Sequence, residues 1–106
     1  MGRPEGNIGD QVDAWLTEQS DVWFFNVWGN QFQKRGVPDR VGNVGPMAFY
    51  CELKKPGKNP EPIQRAIARK IRRAGGTVRT CRSLEEVQDL VEELRSMALD
   101  MVGATL

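Results

Sequence analysis

Apolar residues along the chain switch between helical and strand-like spacing. Over residues 5–18 they fall at Ile8, Val12, Trp15 and Leu16, the spacing of a helix that buries one face. Gly6 and Gly9 weaken its first turns, and Asp10, Asp13 and Glu18 fall on its solvent side. Residues 22–28 are aromatic and β-branched between Asp21 and Gly29, which predicts a strand. Two of the three tryptophans lie there and read as core aromatics rather than as a base-stacking surface. Residues 29–36 are a polar loop that leads into a turn at Pro38 and a short strand over 39–43, with Gly42, Gly45 and Pro46 marking a hairpin.

Residues 47–54 have the clearest register. Met47, Phe49, Cys51 and Leu53 point one way, and Ala48, Tyr50, Glu52 and Lys54 the other. Residues 55–60 form a loop. Residues 61–74 form a helix with a buried stripe of Ile63, Ala66, Ile67, Ile71 and Ala74, the remainder crowded by Arg65, Arg69, Lys70, Arg72 and Arg73. Gly75 suits its C-terminal cap. A strand over 77–81 follows. Ser83-x-x-Glu86 is then a capping box opening a helix whose apolar face continues through Leu84, Val87, Leu90, Val91, Leu94, Met97 and Ala98. The order is α-β-β-β-α-β-α. A hairpin followed by a helical crossover predicts an α/β fold with a mixed four-stranded sheet and helices packed on it.

Length and composition narrow the function classes. The 106 residues suit one domain spanning 1–106, with a core that has little to spare. No apolar run approaches the roughly 18 residues of a membrane span, and no apolar stretch after a basic start suggests a secretory signal. Cys51 and Cys81 have neither zinc spacing nor a disulfide framework, so free thiols in a reducing cytoplasm are expected. The chain has no histidine, which removes imidazole bases, Ser-His-Asp triads and histidine metal ligands. Any metal would be held by oxygen, pointing to Mg²⁺, Mn²⁺ or Ca²⁺.

The net charge of +1 conceals a segregation. Residues 34–82 carry 13 Lys/Arg against three acids, a net of +10, while residues 1–33 carry −4 and residues 83–106 carry −5. A basic middle is the footprint of a polyanion such as nucleic acid, although a solvated basic helix has the same composition. Two of the three acids in that block, Asp39 and Glu52, are also the candidates for chemistry.

Asp39 follows a proline turn, and Glu52-Leu53-Lys54 ends the next strand. Residues two apart on a strand share a face about 6.5–7 Å apart. Two carboxylates and a lysine converging in this way suit a divalent cation for phosphodiester hydrolysis: Asp39 and Glu52 as ligands, the Leu53 carbonyl as a further oxygen, and Lys54 to orient water or add positive charge. Two close carboxylates repel unless a cation lies between them. By spacing alone the same residues also suit a turn aspartate and a solvated edge pair.

Gly36-Val37-Pro38-Asp39-Arg40, Glu52-Leu53-Lys54, Pro60-x-x-x-Gln64, Ala74-Gly75-Gly76-Thr77-Val78 and Ser83-Leu84-Glu85-Glu86 resemble the virus-type replication-repair nuclease (VRR-NUC) domain of the PD-(D/E)xK superfamily, over roughly residues 5–90. The resemblance implies a restriction-endonuclease-like core and a Mg²⁺-dependent nuclease, with Mn²⁺ substituting, that acts on branched or flapped DNA. Stand-alone members are typically viral and look like dimeric Holliday-junction resolvases, so a prophage or viral origin would place the protein in a bacterial cytoplasm. Carried over by position, Asp39 and Glu52 are metal ligands, Lys54 is the catalytic lysine, and Gln64 holds a water or phosphate. An acid on the first helix matches Glu5 best, with Glu18 as the alternative.

Lys34, Arg35, Arg40, Lys55, Lys58, Arg65 and Arg69 are the candidate DNA contacts. A homodimer would supply the two sites that junction resolution needs, with the aromatic strand or the last helix as its interface. The competing reading is a DNA-binding or recruitment module of the same fold without activity.

Overall fold

The computed structural model describes residues 7–27 and 35–105. Glu5, Lys34 and Trp28, all singled out from the sequence, lie outside the described residues. Helix α1 is Ile8–Glu18, opened by Asn7, whose Oδ1 accepts the N–H of Asp10 at 3.0 Å. Strands β1 (Val22–Asn26), β2 (Arg40–Val44) and β3 (Met47–Leu53) follow, then helix α2 (Pro62–Arg73), strand β4 (Val78–Cys81) and helix α3 (Leu84–Thr105). The sheet order is β1-β2-β3-β4. The first three strands are antiparallel and β4 runs parallel to β3, with α2 as the crossover. This is the mixed sheet and element order that the spacing predicts.

The alternation along β3 decides what lies on each side. Phe49 and Cys51 point to the face covered by α1 and α3, where Val12, Leu16, Val44, Cys81, Val87, Leu90, Val91 and Leu94 close the core. Burying a Leu or Phe side chain there contributes about 1.5–3 kcal/mol. Cys51 and Cys81 are buried free thiols, and the Cys51 thiol is pushed up by its hydrogen bond to Cys81 and by burial. Tyr50 and Glu52 point to the opposite face, where α2 covers the β3–β4 half.

Among the described residues, no helix lies over the β1–β2 half of that second face. Trp23 is 64% exposed and Phe25 47% exposed, with their rings tilted against each other at 5.7 Å. The expectation of an aromatic strand buried in the core is corrected here. Of the β1 residues, Val22 and Phe24, on the α1 side, pack against the core, because α2 crosses from β3 to β4 and, among the described residues, no helix packs over Trp23.

Helix α3 runs about 33 Å at 1.5 Å per residue. Ser83 accepts the N–H of Glu86 at 3.1 Å, but the Glu86 carboxylate takes the N–H of Arg82 at 2.7 Å, one residue earlier than a full capping box requires. Midway, Arg95 forks onto Asp21 with two bonds of 2.8 Å, which holds the Asp21 carboxyl below its usual range. Beyond it Met97, Leu99, Met101 and Val102 are exposed. Among the described residues, no helix is long and apolar enough to cross a membrane.

Candidate active site

Gly36 sets the approach to the site. Its φ of +83° favours glycine, and a Cβ there would sit 2.7 Å from the Ile63 carbonyl oxygen and 2.9 Å from its Cγ1. The loop therefore lies directly on the first turn of α2, next to Gln64. Pro38 is buried behind it, and the Asp39 carbonyl accepts the N–H of Val27 at 2.8 Å. One step beyond the Arg40–Cys51 pair, Asp39 stands opposite Glu52 on neighbouring antiparallel strands.

Each of these acids is held by the other's strand. The Leu53 N–H donates to the Asp39 carboxylate, at 3.2 Å to Oδ2. Burial raises the Asp39 carboxyl above its ordinary range, against the opposing pull of that bond, Arg40 and Lys54. Glu52 is 8% exposed, and its carboxyl is pushed up to about 7 by burial and by the charge of Asp39. Gln64 Nε2 donates to Glu52 Oε2 at 2.9 Å, and Gln64 Oε1 accepts the N–H of Glu61 at 2.8 Å. The glutamine thus closes the N-terminus of α2 with one end and fixes a carboxylate with the other. The resemblance set Gln64 at the site without its capping role, for which the signal is a Gln three residues after the residue preceding a helix.

Lys54 follows the last residue of β3, and its N–H donates to the Cys81 carbonyl at 3.0 Å. Strict alternation would seat Lys54 beside Glu52. Each of the two also lines a cleft of its own. Glu52 lines one between α2 and β4, of about 270 Å³, with Gln64, Arg65, Arg69 and Arg72. Lys54 lines the other with Lys55, Arg40 and the first turn of α1. Its positive charge still favours the ionised form of both carboxylates.

The structure gives Arg40 a different position from the DNA contact expected of it. The Arg40 guanidinium forks onto Asp13 of α1, Nε to Oδ1 at 2.8 Å and Nη2 to Oδ2 at 3.1 Å, and Nη1 reaches Asp39 Oδ1 at 3.1 Å. Each of its three nitrogens donates to a carboxylate inside the protein, joining α1 to the site. Asn26 adds a bond to Asp13 at 2.9 Å. Asp13, read from the sequence as a solvated residue, is therefore the α1 acid that the described residues connect to Asp39. Glu18, the alternative first-helix acid, is the last residue of α1, five residues beyond Asp13. Of the remaining candidate DNA contacts, Arg35, Lys55, Lys58, Arg65 and Arg69 are all exposed. Arg82, not among them, anchors the loop before α2 by bonds to the Lys58 carbonyl and to Asn59.

The donor set fits a hard divalent cation. Asp39 and Glu52 are two oxygen ligands whose mutual repulsion a cation would relieve, and Mg²⁺ is commonly held by one or two carboxylates with water and substrate oxygens completing its shell. Among the described residues no group of three Asp, Glu or Cys side chains forms a larger cluster.

Compared by sequence, the chain matches no family model and no curated protein. Compared by structure, it is similar to a solved VRR_NUC domain at a TM-score of 0.68 and 19% identity, over 83% of this chain and 94% of that one. Opposed carboxylates on a hairpin, a lysine after the second, and a glutamine on the crossover helix thus stand on a fold like that of the VRR_NUC domain.

Proposed function

We propose that the protein is a divalent-metal-dependent deoxyribonuclease that hydrolyses phosphodiester bonds in branched DNA. The pairing of Asp39 with Glu52, braced by Gln64, is the observation that carries this reading. Asp39, Glu52 and the Leu53 carbonyl would hold Mg²⁺, or Mn²⁺ in its place. When bound, the ion supplies charge neutralisation at the phosphate and a more acidic water. Lys54 orients the attacking water or counters the charge that develops on the phosphate. Gln64 keeps the Glu52 carboxylate turned toward the cleft. Arg35, Lys55, Lys58, Arg65 and Arg69 supply backbone charge without sequence readout, as recognition by DNA shape requires. Symmetrical resolution of a four-way junction takes two sites, so a two-fold homodimer belongs to this reading. The exposed Trp23 and Phe25 of β1 and the far end of α3 are its candidate contacts.

The test is incubation with Mg²⁺ or Mn²⁺ and labelled junction, flap, duplex and single-stranded DNA, beside Lys54→Ala and Glu52→Ala. Branched substrates should be cut preferentially, and each substitution should lower the rate on the order of 100-fold or more. No cutting with either metal would leave a DNA-binding module. Equal cutting of all substrates would remove the preference for branches. Sedimentation of the protein alone and with junction DNA tests the dimer.

A further inference from the structure

The cleft between α2 and β4 has a feature that cleavage does not require. Arg65, Arg69 and Arg72 are spaced i, i+4 and i+7, so they form one stripe along α2, and all three line the same cleft of about 270 Å³. Two of them are anchored. Arg65 Nη1 donates to the Pro60 carbonyl at 2.6 Å and Arg72 Nη2 to the Val78 carbonyl at 2.9 Å. Arg69, between them, has no hydrogen-bond or ion-pair partner among the described residues. Thr80 and Gln64 complete the polar lining, and among the described residues Glu52 is the only carboxylate there. At about 30 Å³ per water, the space suits a phosphate with part of its nucleotide and is too small for a duplex.

We propose that this cleft binds the phosphomonoester at the end of a nucleic-acid strand, an inference that rests on reading the substrate as nucleic acid. Three guanidiniums against one carboxylate leave an excess of two positive charges. A phosphomonoester carries about −1.5 to −2 at neutral pH and matches that excess. An internal phosphodiester carries one charge and leaves half of it uncovered. Guanidiniums fixed by backbone carbonyls keep N–H donors for a phosphate at little ordering cost. A strand end seated there lies beside Glu52. A flap presents such an end near its branch, whereas an intact four-way junction has none at its centre.

The experiment is fluorescence anisotropy in EDTA, so that no strand is cut. Short single strands carry a 5′-phosphate, a 3′-phosphate or hydroxyls at both ends, with the dye on the opposite end, and inorganic phosphate and a nucleoside monophosphate serve as competitors. One phosphorylated end should bind at least ~10-fold more tightly than its hydroxyl counterpart, the size of one or two charge-assisted hydrogen bonds. Arg69→Ala, at an exposed position, should abolish that ratio while keeping the circular dichroism of the parent. Lys55→Ala should weaken all strands alike and preserve the ratio. Equal affinity for all ends, or a ratio untouched by Arg69→Ala, would overturn the proposal. Displacement by inorganic phosphate as readily as by the nucleotide would make this a free-phosphate site and overturn the strand-end assignment. Because no metal and no cleavage enter the measurement, a protein that prefers phosphorylated ends but cuts nothing would refute only the nuclease reading. One that cuts DNA without this preference would refute only the present proposal.

Discussion

Gln64 donates its amide to the Glu52 carboxylate at 2.9 Å while accepting the N–H of Glu61 at 2.8 Å. The two bonds can be separated by substitution. Gln64→Ala loses both, so it should cost about 1 kcal/mol through the lost cap and slow cleavage roughly tenfold or more as Glu52 loses its brace. Gln64→Glu can still accept from Glu61 but cannot donate to Glu52 when ionised, and it adds a like charge. Melting temperature should then fall less than in Gln64→Ala, while cleavage falls at least as far. Equal activity in the parent and both variants would remove Gln64 from the site.

The raised Glu52 carboxyl makes the metal-free protein sensitive to pH. In the unfolded chain the group titrates near 4.5, and in the folded chain near 7. The folded state therefore binds the proton more tightly, and its advantage is fully present below about pH 4.5 and is lost as pH rises through 7. At about 1.36 kcal/mol per pH unit, Glu52 alone accounts for at most about 3 kcal/mol. Glu52→Gln should abolish this component, so its stability relative to the parent should improve between pH 5 and 8 in EDTA. Mg²⁺ should restore the parent selectively above pH 7. Parallel denaturation curves for the two proteins across that range would contradict the assignment.

The element order, the mixed sheet, the face shared by Phe49 and Cys51, and the convergence of Asp39 with Glu52 were all legible in the sequence, because period-two alternation and a hairpin fix them locally. What could not be read depends on where elements end and what crosses over them. Lys54 lies one residue past the end of β3, so strand alternation alone does not set where its side chain stands. Trp23 and Phe25 are exposed because, among the described residues, α2 covers mainly the other half of the sheet, a consequence of topology and not of local composition. Arg40 looks like its basic neighbours in sequence, and only the approach of α1 gives it Asp13 as a partner.

Arg40 should behave as a structural residue. Its side chain is 12% exposed, with the guanidinium on Asp13 and Asp39, and removing one member of such a pair leaves a charge without its partner, a loss of up to about 3–5 kcal/mol for a fully buried pair. Arg40→Ala should lower the denaturation midpoint strongly, and a cycle with Asp13→Ala should give a coupling of about 1–3 kcal/mol. Arg40→Lys should rescue poorly, since one ammonium cannot reproduce the fork. If Arg40 instead contacts DNA phosphate, its loss should lower the salt dependence of DNA binding by about one charge. An unchanged slope is expected, with Lys55→Ala as the variant that reduces it.

Gly36 and Gly57 allow the fit of the loop against α2 to be measured apart from backbone conformation. Both have φ of +83°, but a Cβ on Gly57 meets nothing within 4 Å, whereas one on Gly36 meets the Ile63 carbonyl at 2.7 Å. Gly57→Ala should therefore cost only the conformational penalty, about 1 kcal/mol. Gly36→Ala carries the same penalty plus an overpacking cost of about 1–3 kcal/mol, because a backbone carbonyl in the first turn of a helix cannot swing aside as a side chain can. Moving that turn also moves Gln64, one residue on. Gly36→Ala should consequently lose stability and cleavage together, while Gly57→Ala keeps its cleavage rate. Equal losses in both variants, measured by thermal unfolding and by cleavage of a flap, would show that the Gly36 contact with α2 plays no part in holding the site.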